Sequence, residues 1–212
     1  MIRGMNPMPR RQMCATCLRP AATCICRWAA PVASPVDILI LQHPMEVANA
    51  KGSARLLHLC LPGSRMAVGE RFEEGALDAL LGAHGRQPLL LYPDTPGDRS
   101  LGIAPPPACG DTLAPARLQL VVLDATWRKS RKMLYLNPAL QALPRLPLRG
   151  TPPSHYLIRK AHAPDQLSTL EATCYALAQL EGDAQRYDRV LAAFDGFVAQ
   201  QQGQAARGGA AS

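Results

Sequence analysis

The sequence predicts an α/β fold: a mainly parallel sheet covered by helices, with a small cysteine-bearing unit at the amino end. Three observations carry this expectation. Residues 36–42 and 118–123 are largely apolar and rich in Val, Ile and Leu, the pattern of strands buried on both faces. Stretches with apolar residues at helical spacing lie between and after such runs, so strands alternate with helices as in parallel sheets. Cys14, Cys17, Cys24 and Cys26 fall close together ahead of the first strand.

Residues 1–12 are polar with Pro and Arg, and little order is expected there. Residues 36–42 read as the first core strand, running into a turn at His43-Pro44. A helix is expected over 46–61, with Leu56, Leu57 and Cys60 inward and Pro62-Gly63 as its stop. A short strand at 66–68, a short helix at 72–81 and a strand at 88–92 follow. Residues 94–116 are rich in Pro and Gly, including Pro105-Pro-Pro107, and sustain neither helix nor ladder. The strand at 118–123 ends on Asp124 and passes into a helix over 129–136, which Asn137-Pro138 breaks. A last strand is expected at 155–159. Helices are expected at 168–181, stopped by Gly182, and at 184–201, where Tyr187, Val190, Leu191, Phe194 and Val198 share one face. Three units are expected: an appendage at 1–30, a main domain at 31–202 and a disordered small-residue tail at 203–212.

With 212 residues, 48% of them hydrophobic, the chain can bury a sizeable core, which excludes global disorder. The formal charge of +7 favours a polyanionic partner. Its distribution sharpens this: Arg3, Arg10, Arg11, Arg19 and Arg27 precede the first acid, and Arg128, Lys129, Arg131 and Lys132 cluster within one turn and a half of helix. Glu70, Glu73, Glu74 and Asp78 group elsewhere, as on a solvated helix face. Apolar runs fall far short of the ~20 residues that cross a bilayer, and no signal-peptide core is seen, so no membrane is expected. Scattered Cys60, Cys109 and Cys174 do not form a disulfide framework, and a reduced cytoplasm fits better.

The spacing C-x2-C-x6-C-x-C supplies four thiolates, enough to close a tetrahedral structural zinc shell; a redox-active C-x-x-C or unrelated thiols are the alternatives. Asp124 stands where a strand hands over to a helix. In open α/β sheets ligands bind outside the carboxyl ends of strands, yet an acid there can equally cap the following helix. Thr126 as N-cap and Trp127 as packing are the corresponding alternatives. His43 could orient a base or phosphate or simply satisfy a turn, and Lys51-Gly-Ser53 could cradle a phosphate. Ser168-x-x-Glu171 fits a capping box. No G-x-G-x-x-G or Walker motif is present.

Asp124-Ala-Thr-Trp127, followed by Arg-Lys-Ser-Arg-Lys-Met133, resembles the D-x-T-W signature of the DTW-domain proteins. The similarity extends to the four-cysteine start, to His43-Pro-x-Glu46, to Tyr92-Pro93 and to Leu167-Ser-Thr-Leu-Glu-Ala172, over residues 12 to 200. That family includes tRNA-uridine aminocarboxypropyltransferases, which use S-adenosylmethionine and are related to the knotted SPOUT-type enzymes. The resemblance implies a SPOUT-like C-terminal trefoil knot, which periodicity cannot reveal. It implies Asp124, Thr126 and Trp127 as catalytic and cofactor-binding residues, with Tyr92, Pro93, Leu123, Leu167, Ser168 and Thr169 as further cofactor contacts. His43, Lys51, Arg128, Lys129, Arg131 and Lys132 are the expected RNA-binding residues. Asn49-Ala50 departs from the Asn-Thr pair many members carry near this point, which leaves the target nucleotide open.

The expected activity is transfer of the 3-amino-3-carboxypropyl group of S-adenosylmethionine to N3 of a uridine in tRNA, in the variable or D loop, with methylthioadenosine released. Structural zinc is the second expected ligand. A SPOUT-like RNA methyltransferase and a non-catalytic zinc-knuckle RNA-binding protein are the rival readings. Asp124 has two candidate roles: taking the N3 proton, or holding the amino group of the methionine moiety.

Overall fold

In the computed structural model the described residues are 12–94, 103, 105–107, 114–154 and 167–209, with side chains to 204. Five strands, β1 (Asp37–Gln42), β2 (Arg65–Val68), β3 (Gln87–Leu91), β4 (Leu118–Asp124) and β5 (Arg145–Leu146), form one sheet in the order β2-β1-β4-β3-β5. Every pairing is parallel, as the uninterrupted apolar runs predict. The helices are α1 (Ala54–Cys60), α2 (Glu74–Leu81), α3 (Trp127–Leu136), α4 (Pro138–Gln141), α5 (Thr169–Glu181) and α6 (Asp188–Gly209).

Right-handed crossovers decide which face each helix covers. The path β1–α1–β2 moves one way along the sheet and β2–α2–β3 the other, so α1 and α2 lie on opposite faces. Ile38, Ile40, Leu120 and Val122 pack on one face with α1, α5 and α6. Leu39, Leu41, Leu90 and Val121 pack on the other with α2, α3 and α4. Each fully buried Leu or Ile here stabilises the fold by about 1.5–3 kcal/mol. At the carboxyl ends of neighbouring β1 and β4 the chain leaves toward α1 on one face and α3 on the other. That divergence makes the β1–β4 boundary a topological switch point, the place where open α/β sheets form their ligand crevice.

Several expectations change. The helix expected from residue 46 begins only at Ala54. Residues 44–52 turn instead: Asn49 N–H donates to Glu46 O, Gly52 N–H to Asn49 O, and Arg19 donates to the Ala50 and Gly52 carbonyls at 2.7 and 3.0 Å. Those carbonyls are thereby withdrawn from any helical ladder. β5 is missing from the sequence expectation because Pro144 and Pro147 flank two residues without periodicity. The strand expected at 155–159, most of the 94–116 loop and the path on which a knot depends lie outside the described residues. The final helix runs through Gly209, into the segment expected to be a disordered tail. No described helix is long and apolar enough to cross a membrane.

The cysteine unit does not stand apart from the sheet domain. Cys17 and Ile25 belong to the α1/α5/α6 core, and Trp28 lies so close to Gly196 of α6 that any side chain there would collide with the indole. Trp28 Nε1 donates to Gln200 Oε1 at 2.6 Å, and Arg19 lies over the Phe197 ring.

Candidate functional site

Residues from four elements meet at the carboxyl end of the β1–β4 pair. Gln42 is the direct neighbour of Asp124 in the β1–β4 register. Both are buried and project toward α5. Gln42 Nε2 donates to Asp124 Oδ2 at 2.8 Å, and Thr169 Oγ1 donates to Asp124 Oδ1 at 2.7 Å. The strands thus fix the carboxylate's base while the first residue of α5 fixes its orientation. That start of α5 is itself rigid: Ser168 Oγ accepts from Glu171 N–H, and Glu171 Oε2 accepts from Ser168 N–H at 2.7 Å, a complete capping box worth about 1 kcal/mol. Glu171 also accepts from Ser154 Oγ, and Ser53 Oγ accepts from Leu170 N–H at 3.3 Å. Ser53 therefore serves α5, where a phosphate cradle is expected from sequence.

On the other side of Asp124, α3 begins. Thr126 occupies its N-cap position without a side-chain cap bond, and the capping alternative for that hydroxyl fails. Trp127, the first helical residue, stacks on Tyr92 with ring centroids 5.1 Å apart and planes within 12°. The Arg145 guanidinium lies over the same phenol at 5.1 Å, and its Nη1 donates to Pro93 O. Burial pushes the Tyr92 phenol above its ordinary range and lowers the Arg145 guanidinium.

His43 is buried. Its N–H donates to Asp124 O at 3.0 Å, which ties the β1 turn to the site through the backbone. Its Nδ1 accepts from Met45 N–H, so the ring proton sits on Nε2, 2.9 Å from Glu70 Oε1. Glu70 also meets Lys132 at 2.9 Å; the His43 hydrogen bond, then Lys132, draw its carboxyl below the usual range. Glu70 thus belongs to this network and lies on no helix. Lys129 pairs with buried Glu46 at 2.8 Å. Lys129 and Lys132, both expected to grip phosphates, thus each meet an acid, and Arg128 and Lys132 are exposed. Lys51 is exposed in the 46–52 turn.

Gln42, Glu70 and Arg145 escaped the sequence reading. Gln42 and Arg145 become visible only through strand pairing. Glu70 has no local signal beyond its charge.

The four cysteines form a second constellation, with all sulfurs within 4.8 Å of one another. Cys14 to Cys26 is 3.6 Å and Cys17 to Cys24 is 3.7 Å. Sulfurs at ~2.3 Å around a tetrahedral zinc stand about 3.8 Å apart, so the cluster fits a metal ion. Backbone N–H groups, that of Cys17 first, draw the Cys14 thiol down to about 6, whereas burial and then neighbouring thiols push Cys26 up to about 12.

Comparison with known proteins accords with this geometry. The DTW-domain profile matches residues 11–202, spanning both the cysteine unit and the sheet. A Drosophila melanogaster protein named tRNA-uridine aminocarboxypropyltransferase 2 is 33% identical over 184 residues, covering 83% of this chain and 69% of the relative. The Macaca fascicularis protein of that name is 29% identical, covering 84% of this chain and 59% of the relative. A tRNA-uridine aminocarboxypropyltransferase A from Arabidopsis thaliana is 27% identical over 134 residues, covering 59% of this chain and 51% of the relative. The chain thus spans about three-fifths of the length of the mammalian relatives it matches. No solved structure gives a significant match. With the profile spanning nearly the whole described fold and the strand-end site carrying its signature residues, the chain belongs to the DTW-domain family.

Proposed function

We propose that this protein transfers the 3-amino-3-carboxypropyl group of S-adenosylmethionine to N3 of a uridine in tRNA. The observation that carries the reading is the oriented carboxylate of Asp124, buried at the strand-end crevice and flanked by the α5 start on one side and the Tyr92–Trp127 stack on the other. The names of the relatives supply the reaction class.

The bond between the sulfonium sulfur and Cγ of the methionine moiety breaks, and the N3–Cγ bond forms. Sulfur keeps the electron pair and leaves as methylthioadenosine, while the N3 proton passes to a base. Since the sulfonium is already a good leaving group, the protein's task is mainly alignment. Asp124 serves as the acceptor for an N–H that reaches the crevice, either the cofactor's ammonium or uridine N3–H. The two roles separate kinetically: loss of the first raises KM for S-adenosylmethionine, and loss of the second lowers kcat. Leu123, Pro93, Leu167, Ser168 and Thr169 line the cofactor side in this reading, with Thr126 and Trp127 at the mouth. The basic stretch Arg128, Lys129, Arg131 and Lys132 on α3 takes the phosphate role, with affinity falling steeply as salt rises. A SPOUT-like knotted path belongs to this reading through the family resemblance, since residues 155–166 lie outside the described residues. The target uridine lies in the variable or D loop of tRNA, and the protein acts in the reducing cytoplasm, where free thiols persist.

Zinc is the metal proposed for Cys14, Cys17, Cys24 and Cys26, on the four-thiolate donor set and its spacing. Its role is to hold the unit that docks Trp28 and Arg19 onto α6. Metal analysis should find about one zinc per chain, and its undiminished retention by Cys24→Ser would remove the assignment.

Incubation with tRNA and S-adenosylmethionine labelled separately in the methyl and carboxyl carbons tests the transfer. Carboxyl label should enter RNA and methylthioadenosine should accumulate. Methyl label in RNA would replace this reading by a methyltransferase, and tRNA retention without cofactor affinity would replace it by a binding protein.

A further inference from the structure

Tyr92, Trp127 and Arg145 form one connected stack that begins inside the protein and ends at its surface. Arg145 is 5% exposed on edge strand β5, Tyr92 is 7% exposed just past β3, and Trp127 keeps 48% of its surface exposed at the start of α3. One face of the indole is covered by the phenol, so its exposure lies on the opposite face and the edges. The backbone of Trp127 is also linked to Tyr92 through Ser130. Ser130 Oγ donates to the Trp127 carbonyl at 2.9 Å, and the Tyr92 hydroxyl reaches Ser130 Oγ at 3.4 Å. Arg145 braces the column by a cation–π contact and by its bond to the Pro93 carbonyl. The result is a preoriented aromatic plane at the mouth of the crevice, three residues after Asp124, with Arg128 and Arg131 on the same helix.

An aromatic plane beside cations is the chemistry that receives an unstacked nucleobase. Two ring ligands reach this site in the proposed reaction, the adenine of S-adenosylmethionine and the uracil of tRNA. Geometry separates them. The Gln42 and Thr169 contacts draw the Asp124 carboxylate to the α5 face of the sheet, whereas Tyr92 packs with the α2/α3/α4 face. We propose that the open face of Trp127 seats the extruded target uracil, and that Arg145 is a positioning residue acting through Tyr92. This inference rests on the proposed uridine transfer and adds the base subsite to it.

The chain has two tryptophans, and Trp28 is held in the cysteine unit by Arg27 and Gln200. Titrating a uridine-loop RNA hairpin should quench tryptophan fluorescence, and Trp127→Phe should remove that quenching. Trp127→Ala should raise KM for tRNA about tenfold or more, the scale of one lost base–aromatic stack, with KM for S-adenosylmethionine within about twofold. Arg145→Gln should move the same KM less, and Arg145→Lys should restore most of it. Quenching by S-adenosylmethionine alone, with tRNA KM unmoved in Trp127→Ala, would assign the plane to adenine and overturn the proposal. Equal rises in both KM values with a lowered thermal midpoint would make the stack a structural prop and overturn it as well. In either case carboxyl label can still enter tRNA, so the transfer reading stands or falls separately.

Discussion

The neighbouring strands β1 and β4 carry the same pair of residues at both ends, with the roles exchanged. At the amino end Asp37 of β1 faces Gln119 of β4; at the carboxyl end Gln42 of β1 faces Asp124 of β4. Each glutamine amide donates to the acid opposite, at 3.2 Å in the first pair and 2.8 Å in the second. The surroundings differ. Asp37 meets the Arg65 guanidinium at 2.8 Å, and Gln119 and Arg65 both donate to Leu80 O. A charge is matched there and the polar groups close on α2. Asp124 accepts from the Gln42 amide and the Thr169 hydroxyl, which aim its carboxylate at the start of α5. One end of the strand pair closes on α2, while the other presents a carboxylate to α5, where the proposed function puts the ligand. The same residue types at the same register therefore do different work according to what the next layer supplies.

Replacing each acid in turn is the sharpest way to break that comparison. Asp124→Asn should lower transfer by roughly 10²–10⁴-fold, the range for loss of a positioned acid–base or holding group, while the thermal midpoint stays close to wild type. Full activity in this variant would erase the distinction between the two ends. Arg65→Met should do the reverse. It leaves the buried Asp37 carboxylate only the Gln119 amide and His84 at 3.6 Å, and should cost about 2–3 kcal/mol in denaturant unfolding, less than the ~3–5 of a fully enclosed pair because Arg65 keeps 26% of its side chain exposed. KM and kcat should hardly move.

Acid titration extends the same contrast. Burial works to raise the Asp37 carboxyl, but the Gln119 hydrogen bond and then Arg65 outweigh it and hold it below the ordinary carboxylate range. Its stabilisation is thus present above the unfolded value near ~3.9 and lost as pH falls through the folded one. Asp37→Asn should flatten the acid limb of the stability curve, and an unchanged limb would remove Asp37 from that role. Thr169→Val should have the smallest effect, about 1 kcal/mol for one hydrogen bond and thus a severalfold loss of activity.

The two constellations were not equally legible from sequence. The cysteine cluster is written in thirteen consecutive residues, so spacing alone delivers it. The strand-end site is assembled from residues as far apart as Gln42 and Thr169, and only its signature segment announces itself. Asp124, Trp127, Tyr92 and the α5 cap were readable because strand ends and capping boxes have local marks. Gln42 and Arg145 depend on strand order, which periodicity does not encode. Lys129 and Lys132 read as free cations because their acid partners, Glu46 and Glu70, come from other elements. The parallel α/β class was legible from the buried apolar runs. The late start of α1 was not, because the turn at 46–52 that precedes it is held by Arg19, 31 and 33 residues away from the Ala50 and Gly52 carbonyls it binds.

A structure determined with S-adenosylmethionine bound tests the central claim most directly. The account predicts the cofactor at the carboxyl ends of β1 and β4, its methionine moiety at Asp124 and its sulfonium facing the α3 side. Binding elsewhere on the chain, or that crevice left unfilled at saturating cofactor, would contradict it.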